Sequence, residues 1–131
     1  MPGVKAPYSV SSQKAPGAIG PYSQGVVAGN LLFISGQLPI DPATGAFVAG
    51  GIAVHAHQCL KNLSAIATAA GTSLERAVKV TVFLADMGNF ATVNQVYGEY
   101  FKSKITRLHD RASGTQGPSL NCARKSSALP D

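Results

Sequence analysis

The chain has 131 residues, of which 45% are hydrophobic and 13% are charged. This length corresponds to one domain, and we expect residues 1–131 to form a single one. No apolar run approaches the length of a membrane span. The low charged fraction indicates that a partner subunit covers part of the surface.

The net charge of +5 is concentrated at the C-terminal end of the chain. Residues 1–101 carry five basic and four acidic residues, a net charge of +1, whereas residues 102–131 carry six basic and two acidic residues, a net charge of +4. A nucleic-acid-binding protein usually carries its basic patch on the folded body. The distribution therefore disfavours a nucleic acid as partner.

The two cysteines and the N-terminal segment bear on the compartment. Cys59 and Cys122 fit neither a metal-binding spacing nor a disulfide framework, which favours a reducing compartment. Residues 1–14 contain no acidic residue and are expected to be a flexible terminus, with a short organelle-targeting segment as the alternative. We therefore expect a cytoplasmic location, with the mitochondrion as the alternative.

A β-hairpin is the first regular structure that the sequence predicts. Two strands, Gly25–Val27 and Leu31–Gln37, are separated by the turn residues Ala28-Gly29-Asn30. Gly36 has no Cβ, so the backbone there can approach a ligand closely or adopt a positive φ. Ser35 brings a hydroxyl and peptide N–H donors, and Tyr22 should lie at the same end of the hairpin. This end is therefore the predicted binding site.

Two helices and one more strand follow the hairpin. Apolar residues recur at helical spacing over 52–70, where Gly71 follows as a cap, and again over 90–101. Between them, 77–85 alternates as a strand, and Asp86 can cap the second helix. The pattern predicts an α+β fold of two layers, with two helices on one face of a mainly antiparallel sheet. Such a sheet needs a closing strand after the second helix, and we expect none in the tail.

Four polar or reactive residues on these helices allow specific expectations. Cys59 lies on the apolar face of the first helix, which predicts a core residue. His55 and His57 are two residues apart and face different directions on a helix, so they cannot bind one metal ion together; we expect solvated or hydrogen-bonded histidines. Asn94 lies on the apolar face of the second helix, where its amide needs a partner. It is interpreted either as a structural hydrogen-bonding residue or as a pocket residue at a subunit boundary.

Four segments together resemble the Rid family of reactive-intermediate deaminases, also called YjgF-like or L-PSP proteins. They are 18–24 (AIGPYSQ), 34–37 (ISGQ), 82–87 (VFLADM) and 90–97 (FATVNQVY). The resemblance implies a chorismate-mutase-like fold and a homotrimer with pockets between its subunits. It also implies hydrolysis of small enamines and imines, such as 2-aminoacrylate, to a 2-keto acid and ammonia, with no cofactor and no metal. Some members are described as ribonucleases or translation inhibitors.

The resemblance assigns roles to residues that are present in this sequence. Enamine hydrolysis requires a tautomerisation to the imine and then attack by water, which an enzyme assists by positioning the water and supplying proton donors. Tyr22 would orient that water or line the pocket. Ser35 and the Gly36 backbone would hold the substrate, and Asn94 would complete the pocket wall.

The similarity to the family motifs weakens after about Lys104, and residues 105–131 are expected to be a divergent, disordered tail. The family has a Pro-Ala-Arg motif here, whose arginine holds the substrate carboxylate. In this chain Arg107 and Arg111 are the candidate replacements. Read in a frame shifted by two bases, codons for 107–113 can encode Pro-Ala-Arg-Ser-Cys-Val, so we hypothesise a frameshift near Ile105. Gene sequencing that reveals codons unable to encode this motif would refute the hypothesis.

Three functions follow from these observations. The first is a hydrolytic deaminase of reactive enamines and imines, whose activity depends on a replacement for the family arginine. The second is a non-catalytic small-molecule-binding or chaperone-like homotrimer, which an intact pocket without turnover would indicate. The third is an endoribonuclease or translation inhibitor, for which RNA binding should be salt-sensitive and should require residues 105–131.

Overall fold

The computed structural model describes residues 6–18 and 20–101, together with the backbone of 107–112 and 120–124. The described residues contain six strands in one sheet of order β1-β2-β3-β6-β4-β5. The strands are β1 (Tyr8–Val10), β2 (Gly25–Ala28), β3 (Leu31–Gln37), β4 (Lys79–Leu84), β5 (Arg107–Ala112) and β6 (Leu120–Arg124). Neighbouring strands are antiparallel except for β4 and β5, which are parallel.

The predicted hairpin is confirmed. β2 and β3 pair in register, with Val27 opposite Leu32 and Val26 opposite Phe33. Val27 and Leu32 are buried, whereas Val26 and Phe33 are half-buried on the other face of the sheet. Gly29, in the turn, has a φ of 63°, a conformation that glycine adopts without strain. The alternation of side chains therefore places one face of the hairpin in the core.

Both helices lie close to their predicted bounds. α1 spans Ile52–Ala69 and α2 spans Phe90–Tyr100. α1 packs on β3 and β6, and α2 packs beside α1. Gly71 ends the first helix with a φ of 86°, and the Thr72 N–H donates to the carbonyl oxygen of Ala67. Asp86 caps the short 3₁₀ turn before α2, because its carboxylate accepts a hydrogen bond from the Gly88 N–H at 2.8 Å.

The core lies between the sheet and the helices. Cys59 is fully buried, as predicted, and its thiol donates to the Gln37 carbonyl oxygen at 3.4 Å. On β4, alternate residues are buried, and Thr81 and Phe83 between them are half-buried on the opposite face. The buried core members from the sheet and from α1 are Val10, Val27, Leu32, Ile34, Val80, Val82, Leu84, Ala56, Cys59, Leu60, Leu63, Ile66 and Ala67.

Two expectations about the ends of the chain are wrong. The tail supplies the closing strand that the sheet needs, since the backbone of β6 pairs with both β3 and β4. β5 then pairs along the far side of β4. Residues 8–10, expected to be flexible, form β1 against β2. Residues 1–5, 19, 102–106, 113–119 and 125–131 lie outside the described residues, so the flexibility expected of 1–5 and the disorder expected of the rest of the tail stay predictions. Strand pairing accounts for both differences, because it supplies backbone hydrogen bonds that local sequence patterns do not reveal.

Candidate functional site

A small cavity lies at the end of β3, where the sequence predicts the binding site. It encloses about 50 Å³. Its walls come from the segment before β2, from the end of β3 and from the residues that follow β3. The lining residues are Pro16, Gly17, Ala18, Tyr22, Gln24, Gly36, Gln37, Leu38 and Ile40. The expectation that Tyr22 lies near the Ser35–Gly36 end of the hairpin is therefore confirmed.

Tyr22 borders two concave surfaces. It lines the small cavity and also a wider groove of about 770 Å³, which runs along Ser9–Gln13. The Tyr22 side chain is 54% exposed, so solvent reaches it. A phenol is both a hydrogen-bond donor and an acceptor. A side chain in this position can contact a small molecule in the cavity and a water molecule outside it.

Ser35 is hydrogen-bonded to the segment before β2 that lines the cavity. Its hydroxyl donates a hydrogen bond of 2.6 Å to the Ser23 carbonyl oxygen, and its backbone N–H donates to the Gln24 carbonyl oxygen at 2.9 Å. Ser35 is not among the residues that line the cavity within the described part of the chain. Its hydroxyl proton therefore holds the segment next to Tyr22, and a direct contact of Ser35 with a substrate stays a prediction.

Gly36 lines the cavity and is exposed. Among the described glycines, a positive φ occurs at Gly29, Gly45, Gly50 and Gly71, and Gly36 is not one of them. Of the two reasons considered for a glycine here, backbone conformation is therefore excluded. The pairing of β3 with β6 shifts register between Ile34 and Gln37, an irregularity at which glycine is common, and close approach of the backbone to a ligand stays a prediction.

Asn94 does not lie on the buried face of α2, which corrects the sequence prediction. The buried residues of this helix are Val93, Val96 and Tyr97, whereas Asn94 is exposed. Among the described residues, neither the cavity lining nor the hydrogen bonds include Asn94. The helix is oriented so that Val96, rather than Asn94, faces the core. A structural hydrogen bond within the described chain is therefore excluded, and a role at a subunit boundary stays a prediction.

The two candidate arginines lie on β5, at the edge of the sheet. In the backbone register Arg107 is opposite Lys79 and Arg111 is opposite Phe83 of β4. β6 and β4 separate β5 from β3, a distance of about 14 Å at the usual strand spacing. One chain therefore does not bring the backbone of either arginine to the cavity. Their proposed replacement of the family arginine stays a prediction.

Two buried amides that the sequence analysis missed shape the cavity walls. Gln24 is 6% exposed, and its side chain bonds to the backbone of Ser12, Ala15 and Pro16. Asn62, on α1, is fully buried and donates to the carbonyl oxygens of Leu38 and Ile40. The apolar periodicity of α1 does not identify Asn62 as buried, because a polar residue adds nothing to that pattern.

The histidines are hydrogen-bonded, as expected. A ring nitrogen of His55, Nε2, lies 3.0 Å from the Val48 carbonyl oxygen. His57 connects the helices, because its Nδ1 lies 3.1 Å from the Tyr100 hydroxyl oxygen and its Nε2 lies 3.5 Å from a carboxylate oxygen of Glu99. The described residues contain no group of three or more potential metal ligands.

The phenol of Tyr100 gives a prediction for alkaline pH. Burial, and second the Glu99 carboxylate, raise the pKa of Tyr100 above its ordinary value of 10.0. The neutral phenol is therefore favoured in the folded state, and the stability that this provides is fully present below about pH 10 and lost as the pH rises through the folded-state pKa. We expect Tyr100→Phe to flatten the alkaline fall in the free energy of unfolding, measured with urea between about pH 8 and pH 11.

Glu99→Gln is the matched control for Tyr100→Phe. It removes the smaller cause of the pKa shift and leaves burial in place, so most of the alkaline fall should remain. An alkaline fall of the same size in Tyr100→Phe and in the wild-type protein would contradict this assignment.

Together, the fold and the site define a class of protein: an α+β chain with two helices on a largely antiparallel sheet and a small cavity at the end of a hairpin. Residues 12–115 match the profile of a family described as "Endoribonuclease L-PSP". The chain belongs to this family, which is also called the Rid or YjgF family. The match ends at residue 115 and thus extends past Lys104, where the recognisable motifs weaken.

Relatives and solved structures agree with this assignment. The human 2-iminobutanoate/2-iminopropanoate deaminase is 52% identical over 123 residues, which cover 83% of this chain and 90% of the relative. RutC family protein y4sK of Sinorhizobium fredii is 57% identical over 94 residues, covering 72% of this chain and 75% of the relative. The crystal structure of yeast Mmf1 superposes with a TM-score of 0.89 at 32% identity, covering 95% of this chain and 100% of that one. These similarities confirm the predicted YjgF/L-PSP fold. Within the described residues, no helix has both the length and the apolar composition to cross a membrane.

Proposed function

We propose that this chain is a hydrolytic deaminase of small 2-imino acids and their enamine tautomers. Water adds to the C=N carbon, the C–N bond breaks, and a 2-keto acid and ammonia are released. This substrate class is supported by the human and bovine relatives, which are 52% identical to this chain and are named 2-iminobutanoate/2-iminopropanoate deaminases. The observation that carries the proposal for this chain is the shared cavity of Tyr22 and Gly36 at the end of β3.

The geometry suits a reaction that needs positioning more than a strong nucleophile. The Tyr22 phenol lies at the border between the cavity and the solvent-filled groove, where it can hold a water molecule and donate a proton. Gly36 lets a flat imino acid lie close to the backbone. Ser35 and Gln24 fix this segment through backbone hydrogen bonds, so the reacting groups are placed before the substrate binds.

The substrate carboxylate requires a cation that the cavity of one chain does not supply, since no lysine or arginine is among its described lining residues. In a homotrimer, a neighbouring subunit would place a second surface over the open site. We include this assembly in the proposal, with Arg107 or Arg111 as carboxylate ligands and Asn94 as a wall residue. The half-buried open face of the sheet supports it, because Val26, Phe33 and Phe83 expose apolar area there.

The activity is tested by release of 2-oxobutanoate and ammonia from 2-iminobutanoate, which an amino-acid oxidase generates in place from L-2-aminobutanoate. We expect the protein to raise the rate above spontaneous hydrolysis in proportion to its concentration. A rate that does not depend on protein concentration would refute the deaminase proposal. Salt-sensitive RNA cleavage in the same preparation would favour the ribonuclease, which the net charge of +1 on residues 1–101 disfavours.

The trimer is tested by Phe83→Asp on the open face of the sheet. In analytical ultracentrifugation, we expect the wild-type protein to have a mass of about 40 kDa, three times its chain mass of 13.4 kDa. Phe83→Asp should sediment as a monomer and lose turnover, because a carboxylate would be buried without a partner at the interface. Val54→Asp is the control, since Val54 is 45% exposed on α1. A wild-type monomer, or a trimer that survives Phe83→Asp, would contradict this part of the proposal.

A further inference from the structure

Gln24 binds the segment before β2 through both the oxygen and the nitrogen of its side-chain amide. Its Oε1 accepts from the Ser12 N–H at 2.5 Å, and its Nε2 lies 2.7 Å from the Pro16 carbonyl oxygen, 3.1 Å from that of Ser12 and 3.2 Å from that of Ala15. A glutamine amide has two N–H donors, so the three carbonyl oxygens share them. Residues 11–18 lie outside the helices and strands, and this side chain is what attaches them to the hairpin.

Asn62 holds a second segment of the cavity lining, the one that follows β3. Its Nδ2 donates to the Leu38 carbonyl oxygen at 3.1 Å and to the Ile40 carbonyl oxygen at 3.0 Å, and its Oδ1 accepts from Gln58 Nε2 at 2.9 Å. Leu38 and Ile40 line the same cavity as Pro16, Gly17 and Ala18. The segment that follows β3 is thus attached to the rigid helix α1 through one buried side chain.

We propose that Gln24 and Asn62 are positioning residues that set the width of the candidate site by holding its two irregular walls. Both amides are buried, and the N–H donors of both bond to backbone carbonyl oxygens. An amide offers two N–H donors to the carbonyl oxygens around it, whereas the carboxylate of the same shape offers none. This inference rests on the proposed deaminase function for its kinetic consequences, but the attachment of the walls is independent of it.

The test uses the near-isosteric variants Gln24→Glu and Asn62→Asp, which keep the side-chain shape and remove the N–H donors. We expect kcat for 2-iminobutanoate to fall about 10- to 100-fold in each, with a much smaller change in KM, because misplaced walls cost transition-state alignment. Gln24→Met is a second variant that avoids a buried charge and should show the same fall. Leu74→Ala, a buried position away from the cavity, serves as the control.

Amide hydrogen exchange supplies a readout that is independent of turnover. In Gln24→Glu and Gln24→Met, we expect faster amide exchange that is confined to residues 12–18. In Asn62→Asp, we expect the faster exchange to be confined to residues 38–48. Exchange in Leu74→Ala should be unchanged in both segments. NMR titration with 2-oxobutanoate, the product of the proposed reaction, should show weaker binding to the Gln24 and Asn62 variants than to the control.

The possible outcomes separate the two proposals. If the wild-type protein turns over and the Gln24 and Asn62 variants match Leu74→Ala in kcat and KM, the positioning inference is wrong and the deaminase proposal stands. If the wild-type protein shows no turnover, the deaminase proposal fails, and exchange and product binding decide the inference. Faster amide exchange confined to the segment bonded by the substituted residue, together with weaker binding of 2-oxobutanoate, then supports the positioning inference. Amide exchange that becomes faster throughout the protein overturns it.

Discussion

We expect Tyr22→Phe to lower kcat/KM for 2-iminobutanoate by about 100-fold, the usual contribution of a positioned proton donor. The substitution removes only the hydroxyl group, and the side chain is 54% exposed. The free energy of unfolding should therefore change by less than about 0.5 kcal/mol. Steady-state kinetics and urea unfolding of the same preparation measure the two quantities.

Tyr8→Phe is the matched control for this prediction. Tyr8 is 56% exposed on β1, and it lines neither the cavity nor the groove beside it. Its loss of a hydroxyl should leave both kinetics and stability unchanged. Equal kinetics in Tyr22→Phe and Tyr8→Phe would show that the Tyr22 phenol lines the site without taking part in the reaction.

We expect Leu63→Ala to cost about 3 kcal/mol of stability, the largest effect of a single core substitution here. Leu63 is fully buried on α1 within the core that joins the helices and the sheet, so the truncated side chain leaves a cavity. Val54→Ala, on the same helix but 45% exposed, should change stability by less than about 0.5 kcal/mol. Urea unfolding at equal protein concentration compares the two, and a similar small loss in both would contradict the assigned core.

The hairpin and both helices were predictable because their signals are local. The run of apolar and small residues in Leu31–Gln37 and the helical spacing in Ile52–Ala69 each identify one element without reference to the rest of the chain. β6 was not predictable in this way. Its sequence, LNCAR, has no β-branched residue, and it is a strand because it fills the position between β3 and β4.

The site was predictable in part, for a similar reason. Tyr22 and Gly36 come together because the hairpin that joins them is a local structure. The roles of Gln24 and Asn62 depend on segments 8 to 24 residues away in sequence, and no periodic pattern reports such bonds. Asn94 was misplaced because one helical stripe of aromatic residues included both Phe90 and Tyr97, whereas the observed buried face also takes in Val96.

The most direct test of the central claim compares this chain with a variant in which residues 107–112 are replaced by Pro-Ala-Arg-Ser-Cys-Val. Keto-acid release from enzymatically generated 2-aminoacrylate is measured for both at equal concentration. We predict that this chain itself accelerates hydrolysis above the spontaneous rate. Acceleration by the variant alone would contradict the proposed function and show that this polypeptide is a non-catalytic member of its family.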